Sequence, residues 1–185
     1  LILILVIINA FFSSAEMAII SLNKNRLNTI IDDAEGENSF SRRTKKAKIL
    51  LNLLKEPSKF LATIQVGITL AGFLASASAA TSISKYIEIF FKRLNIPKSS
   101  SIALFLTTLL LSYLTLVFGE LLPKRIALNN SEKIALFSIK PIIIFMKISL
   151  PFVNILTYST NFLLKVLGID YENIEEKISE EEIKK

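Results

Sequence analysis

The feature that most constrains this chain is the length of its apolar stretches. Four of them alternate with basic, polar segments, and 51% of the 185 residues are hydrophobic. A helix of about 20 apolar residues, rising about 1.5 Å per residue, crosses the hydrocarbon layer of a bilayer. The sequence therefore predicts an all-α integral membrane protein with three spanning helices, at about 1–22, 60–84 and 101–122.

The sequence contains no cysteine, histidine or tryptophan, which limits the metal sites and catalytic groups that the chain can form. This absence excludes thiolate or imidazole metal ligands, cysteine or histidine nucleophiles, and disulfides. Any metal would bind through oxygen. Because no nucleophile–base constellation is present either, we expect a protein that is not an enzyme. The net charge of +6 lies in the segments between apolar stretches, so we expect it to orient the chain rather than bind nucleic acid.

The distribution of basic residues predicts the orientation. Segment 23–59 carries nine lysines and arginines, whereas 85–100 carries four. By the positive-inside rule the first segment is cytoplasmic, the N-terminus is outside, and the C-terminus is cytoplasmic. A cleaved signal peptide over 1–22 is disfavoured, because a basic start is missing and Ser13, Ser14 and Glu16 interrupt the apolar run.

The first basic segment contains a predicted helix at 41–55, preceded by a turn over 32–41. Its apolar residues recur at helical spacing opposite a basic face: Ala47, Leu50, Leu51 and Leu54. This pattern favours a helix lying on the inner leaflet. The alternative is a helix that packs on another part of the protein.

The fourth apolar stretch, 141–168, is interrupted by Pro141 and Pro151. We expect a broken pair of short juxtamembrane helices on the inner side or partly re-entrant, because a fourth full crossing would place the acidic tail outside. The membrane domain then covers 1–168, and 169–185 begins a charged linker.

Polar residues within the first two spans are candidates for function or packing. Glu16 lies three residues after Ser13 and so on the same helical face. A carboxylate there costs several kcal/mol unless it is paired or faces a polar cavity, although it could also reach water at the inner interface. The second span carries two stripes of small or polar residues, which allow close helix contact or bond their own helix: Gln65, Thr69, Gly72, Ser76 and Ala80, and Gly67, Ala71, Ala75, Ser78 and Ser82.

The end of the third span is the most informative segment. Pro123 has no N–H to bond the carbonyl of residue 119, and Gly119 tolerates the resulting kink. A freed carbonyl next to Glu120 makes a site of hard oxygens, at the end of a polar stripe of Thr108, Ser112, Thr115 and Gly119. The alternative is a simple proline-terminated helix with Glu120 at the surface.

Such oxygens suit Mg²⁺ better than Ca²⁺, which takes six to eight ligands and often several acids. Hydroxyls of Ser13, Ser14, Ser76 or Ser78, with the Gly119 carbonyl and Glu120, could complete an octahedral shell if the three spans converge. A sodium site would use the same kinds of oxygen.

Three segments, FFSSAEMAII, FLATIQVGITLAGFLA and VFGELLPKRIAL, occur in this order. Together they resemble the transmembrane domain of the cyclin M/CorC family of magnesium transporters, also called haemolysin-related. The resemblance implies a homodimer in a bacterial or archaeal plasma membrane, with three spanning helices and a belt of cytoplasmic juxtamembrane helices. It also implies a following cytoplasmic CBS-domain pair that binds ATP.

The resemblance further implies Mg²⁺ transport by alternating access, as efflux coupled to Na⁺ entry. The alternative is a membrane-anchored Mg²⁺ sensor that regulates another transporter. The ion pocket carried over by motif comprises Ser13 or Ser14, Gly119 and Glu120, with Ser76 and Ser78 from the second span. Supporting roles in the helix break, packing or coupling fall to Glu16, Gln65, Thr69, Gly72, Ser112, Pro123 and Lys124.

Overall fold

A computed structural model describes residues 1–36, 42–54 and 57–168 of the chain. Every element assigned within them is helical, which confirms the predicted all-α class. The elements in chain order are α1 (Ile2–Ile20), α2 (Lys24–Gly36), α3 (Arg42–Leu53), α4 (Pro57–Arg93), α5 (Ser99–Leu116), a π-helical turn (Val117–Leu121), α6 (Leu122–Asn129) and α7 (Ser131–Val166). The predicted linker 169–185 lies outside the described residues.

Helices long and apolar enough to cross a membrane number four in the described part of the chain: Ile2–Ile20, Phe60–Arg93, Ser99–Asn129 and Ser131–Val166. The first three contain the predicted spans almost entirely. The fourth differs from expectation, because one helix, α7, runs through both Pro141 and Pro151. The predicted break is wrong for a physical reason. Each proline removes only one backbone hydrogen bond, a loss that long apolar helices tolerate.

The chain divides into two compact units, Leu1–Phe145 and Met146–Lys185. In the first unit α1 packs against α4, the π-helical turn and α6, while α4 also packs against α5. Small residues make the α1–α4 contact close, because a Cβ added at Gly67 would lie 2.8 Å from the Phe12 ring. The described part of the second unit, 146–168, belongs to the C-terminal part of α7 and the turn after it.

The segment before α4 is more helical than predicted. Residues 32–36, expected in a turn, continue α2 to its end at Gly36, and the rest of that predicted turn lies outside the described residues. Helix α3 confirms the predicted helix over Arg42–Leu53. Its Ala47 and Leu50 are fully buried within the chain, which favours packing on the protein over lying on the leaflet.

Candidate ion site between α1 and the π-helical turn

The predicted kink before Pro123 takes the form of a π-helical turn. At its end the N–H of Leu122 donates to the carbonyl of Val117, five residues back. Helical geometry then resumes in α6, with proline in its first turn, where a missing N–H costs least. Turns of this kind are frequent at functional sites, because they widen the helix and redirect its carbonyls.

Gly119, at the centre of this turn, lies directly against α1. A Cβ added there would be 2.9 Å from the Nδ2 atom of Asn9 and 3.4 Å from Cγ2 of Thr115. Only glycine therefore leaves room for the Asn9 amide beside the backbone of the turn. Gly119 is itself buried, so this contact is closed to bulk solvent.

Three buried oxygens on α1 and α5 have no hydrogen-bond partner among the described residues: Oδ1 of Asn9, Oγ of Ser13 and Oγ1 of Thr115. The side chains of Asn9 and Thr115 both meet the Cβ position of Gly119. Asn9 and Ser13 are one turn apart on α1, and both residues are almost completely buried, at 3% and 0% exposure. Burying a polar atom without a partner costs free energy, so such atoms usually indicate a bound water or ion. We call Asn9, Ser13, Thr115 and Gly119 the α1–π site.

Charged side chains lie at one end of the α1–π site. The Nζ of Lys124 is 2.9 Å from Oε1 of Glu120 and 3.2 Å from Oε2 of Glu16. One ammonium thus bridges two carboxylates and joins α1 to α6. Glu16 is paired, as its position within the apolar run requires, and Glu120 is partly exposed rather than sealed in the core.

The oxygens of the α1–π site are neutral. Within residues 1–36, 42–54 and 57–168, no three side chains of Asp, Glu, His or Cys group together. The arrangement is therefore a set of amide, hydroxyl and backbone oxygens with two nearby carboxylates, Glu16 and Glu120, that share the single positive charge of Lys124. This donor set suits a hard cation.

The structure brings together only part of the predicted site. Ser13, Gly119 and Glu120 lie at the α1–π contact with the supporting residues Glu16, Pro123 and Lys124. Ser14 is half-buried, and its hydroxyl donates to the carbonyl of Phe11. The other predicted residues lie apart from the buried group: Ser76, Gln65 and Ser112 are exposed, while Ser78, Thr69 and Gly72 are half-buried.

On the middle of α4 the residues buried in the chain are three alanines spaced four apart, Ala71, Ala75 and Ala79. Ala75 and Ala79 form a cluster with Leu5 of α1 and Leu111 of α5. The stripe of polar residues leading along α5 is also divided. Thr108 and Ser112 are exposed, and Thr108 donates to the carbonyl of Leu104, so only Thr115 and Gly119 of this stripe belong to the contact with α1.

Asn9 is the residue that sequence reasoning missed. Its signal was present, because Asn9 lies four residues before Ser13 and seven before Glu16, which places all three on one face of α1. An amide in an otherwise apolar run is as costly as the hydroxyls that did attract attention. Thr115 was noted only as part of a stripe. Its lack of a hydrogen-bond partner could be recognised only once the packing of α1 against the turn was known.

Comparison with known proteins identifies the family of the chain. The family model of the cyclin M transmembrane N-terminal domain matches residues 1–185, the whole chain. The chain belongs to this family. The cyclin M match confirms the resemblance carried by the three sequence motifs, including the segment around Gly119, Glu120 and Pro123.

Three curated relatives each match almost the whole of this chain. UPF0053 protein sll0260 of Synechocystis sp. is 34% identical over 99% of this chain, and UPF0053 protein YhdP of Bacillus subtilis is 30% identical over 100% of it. UPF0053 protein YugS of Bacillus subtilis is 29% identical over 99%. The chain spans only 39–41% of these relatives' lengths.

Proposed function

We propose that this domain carries Mg²⁺ across the membrane and binds it at the α1–π site. The observation that supports this function is the set of three buried oxygens that have no partner within the described part of the chain; two of them belong to Asn9 and Thr115, which meet Gly119, and the third belongs to Ser13, one turn from Asn9. A dehydrated cation would compensate the cost of burying them, since each oxygen would gain a ligand bond. Mg²⁺ prefers hard oxygen ligands, and Glu120 would supply negative charge at the entrance.

Lys124 gives the site a built-in counter-charge. Its ammonium pairs with both Glu16 and Glu120 in the structure and offsets part of their negative charge. An arriving divalent cation would compete with this ammonium for Glu120, so binding and release would be coupled to movement of Lys124 and hence of α6 against α1. This exchange is a local means of alternating access around a fixed site.

The choice of Mg²⁺, of efflux and of Na⁺ entry as the driving force rests on the family resemblance of the motifs. The same basis underlies a homodimeric assembly, a plasma-membrane location with the C-terminus in the cytoplasm, and a following CBS-domain pair that binds ATP. We extend these properties to the full-length protein that contains this chain.

Flux through purified protein in liposomes tests the function directly. A Mg²⁺-sensitive dye inside the vesicles reports transport under an imposed Na⁺ gradient. We expect wild-type flux to be abolished by Glu120→Ala, because the only charged candidate ligand is removed. Wild-type protein that binds Mg²⁺ but moves none under any Na⁺ gradient would contradict transport and favour the sensor that regulates another transporter.

Two isosteric variants test the site itself. Thr115→Val removes an unpartnered hydroxyl, whereas Thr107→Val, on the same helix, removes a buried hydroxyl that already donates to the Ala103 carbonyl at 2.7 Å. We expect Thr115→Val to weaken Mg²⁺ binding by roughly 10- to 100-fold and Thr107→Val to leave it unchanged. Equal effects of the two variants, measured by calorimetric titration in detergent, would place the ion elsewhere.

A further inference from the structure

A second polar feature lies at the end of the first unit that is predicted to face the cytoplasm. It is an open cleft of about 590 Å³ between the end of α1, the starts of α2 and α3, and the junction of α6 with α7. This volume is within the range of about 300–1,000 Å³ typical of small-molecule sites. We call it the basic cleft, because Arg26, Arg43 and Lys133 line it together with Glu132.

Glu132 holds the two arginines in fixed positions. Its Oε2 accepts from Nε of Arg26 at 2.7 Å, and its Oε1 pairs with Nη2 of Arg43. Glu132 is only 16% exposed, whereas the arginine side chains are 72% and 60% exposed. The partly buried carboxylate therefore holds one end of each guanidinium group, while the rest of each arginine side chain is exposed in the cleft.

The arginines retain unused donors. Among the described residues Arg26 pairs through Nε only, so both of its terminal nitrogens are free to donate to a ligand. Arg43 pairs through one terminal nitrogen. With Lys133 on the same wall, the three cations exceed the one carboxylate by two charges. A fork of guanidinium donors with a surplus of positive charge matches the geometry of a phosphate group.

We propose that the basic cleft binds a phosphate-bearing anion, either the headgroup of an anionic phospholipid or a soluble phosphate compound. Basic pockets between membrane helices on the cytoplasmic side are the usual location of anionic headgroup sites. The surroundings also suit a lipid: the cleft is lined partly by Leu22 and Leu136, and the adjacent Phe137 is 70% exposed. The cleft contains none of the α1–π residues, so this proposal does not depend on ion transport.

Native mass spectrometry of the full-length protein in mild detergent can count bound lipids. We expect phosphatidylglycerol to be retained in preference to phosphatidylcholine, and the double variant Arg26→Gln/Arg43→Gln to weaken its binding roughly 30-fold. Arg93→Gln, at the end of α4 and outside the cleft, is the matched control and should bind as wild type. Adding glycerol phosphate or inorganic phosphate distinguishes the sources: displacement of lipid at millimolar concentration would assign the site to a soluble phosphate.

Two single variants separate anion binding from a purely structural role of the ion pairs. Lys133→Gln leaves both arginine pairs with Glu132 intact and should still lower phosphatidylglycerol binding. Glu132→Gln removes the competing negative charge, while the amide oxygen can still accept from an arginine, so this variant should retain or strengthen phosphatidylglycerol binding. Unchanged phosphatidylglycerol binding in both Lys133→Gln and the double arginine variant would show that the arginines serve only to hold Glu132, and equal retention of both lipids by the wild type would also overturn the proposal.

Discussion

Replacing Gly119 with alanine perturbs the α1–π site by a single methyl group. The new Cβ would lie 2.9 Å from Nδ2 of Asn9, whereas ordinary contact begins at about 3.4 Å, so the amide must retreat by about 0.5 Å. Metal–ligand distances tolerate only about 0.2 Å. Because Nδ2 is the end of a flexible side chain, the fold should accommodate the change at about 1 kcal/mol, the low end of overpacking costs.

We therefore expect Gly119→Ala to lose much more affinity for Mg²⁺ than stability. Calorimetric titration should show binding weakened by roughly 10- to 100-fold, the usual result of displacing a supporting group at a metal site. The thermal unfolding midpoint without Mg²⁺ should change little. Gly72→Ala, on α4, is the control, because nothing lies within 4 Å of its added Cβ. Wild-type Mg²⁺ affinity in Gly119→Ala would refute the assignment of Asn9 to the site.

Two further variants test the contacts that frame the site. Gly67→Ala should destabilise the protein by about 1–3 kcal/mol in thermal unfolding, because the Phe12 ring that it would strike is also packed on Phe145 at 4.7 Å between centroids; an unchanged unfolding midpoint would contradict the close α1–α4 contact. Lys124→Gln should tighten Mg²⁺ binding roughly tenfold, because the ammonium that competes with the ion for Glu120 is removed; the gain is modest since the ion pairs are partly exposed. Transport should be slower, because no ammonium then helps to displace the bound ion. The Mg²⁺ concentration for half-maximal thermal stabilisation measures the binding, and an unchanged value would mean that Lys124 does not compete.

Most of the fold followed from apolar length and from proline chemistry. The three predicted spans correspond to long helices, and the segment before Pro123 departs from α-helical geometry beside the missing N–H. The uninterrupted course of α7 could not be predicted from the same rule, because a proline can kink, end or simply weaken a helix. Which outcome occurs depends on the remaining hydrogen bonds and on packing that the local sequence does not specify.

The site was predictable to the extent that a buried charge or a broken helix is visible in sequence. Glu120 and Gly119 were identified from those signals, and Ser13 from the family motif and the face that it shares with Glu16, whereas Ser76 and Ser78 were selected as small polar residues on a stripe. The structure buries the neighbouring Ala75 and Ala79 instead. A rotation of one residue about the helix axis decides between these faces, and hydroxyl positions alone do not determine it. Whether any of these residues binds an ion remains a prediction.

The π-helical turn also makes the candidate site sensitive to chain length. Such a turn contains one residue more than the α-helical ladder requires, so deleting one residue within Val117–Leu121 would allow α5 and α6 to merge into a regular helix. Every side chain beyond the deletion would then rotate by about 100° about the axis. Lys124 would leave Glu16, and the backbone of residue 119 would leave Asn9. Substitutions can alter the affinity of the site gradually, but a gain or loss of one residue here would create or abolish it in a single event.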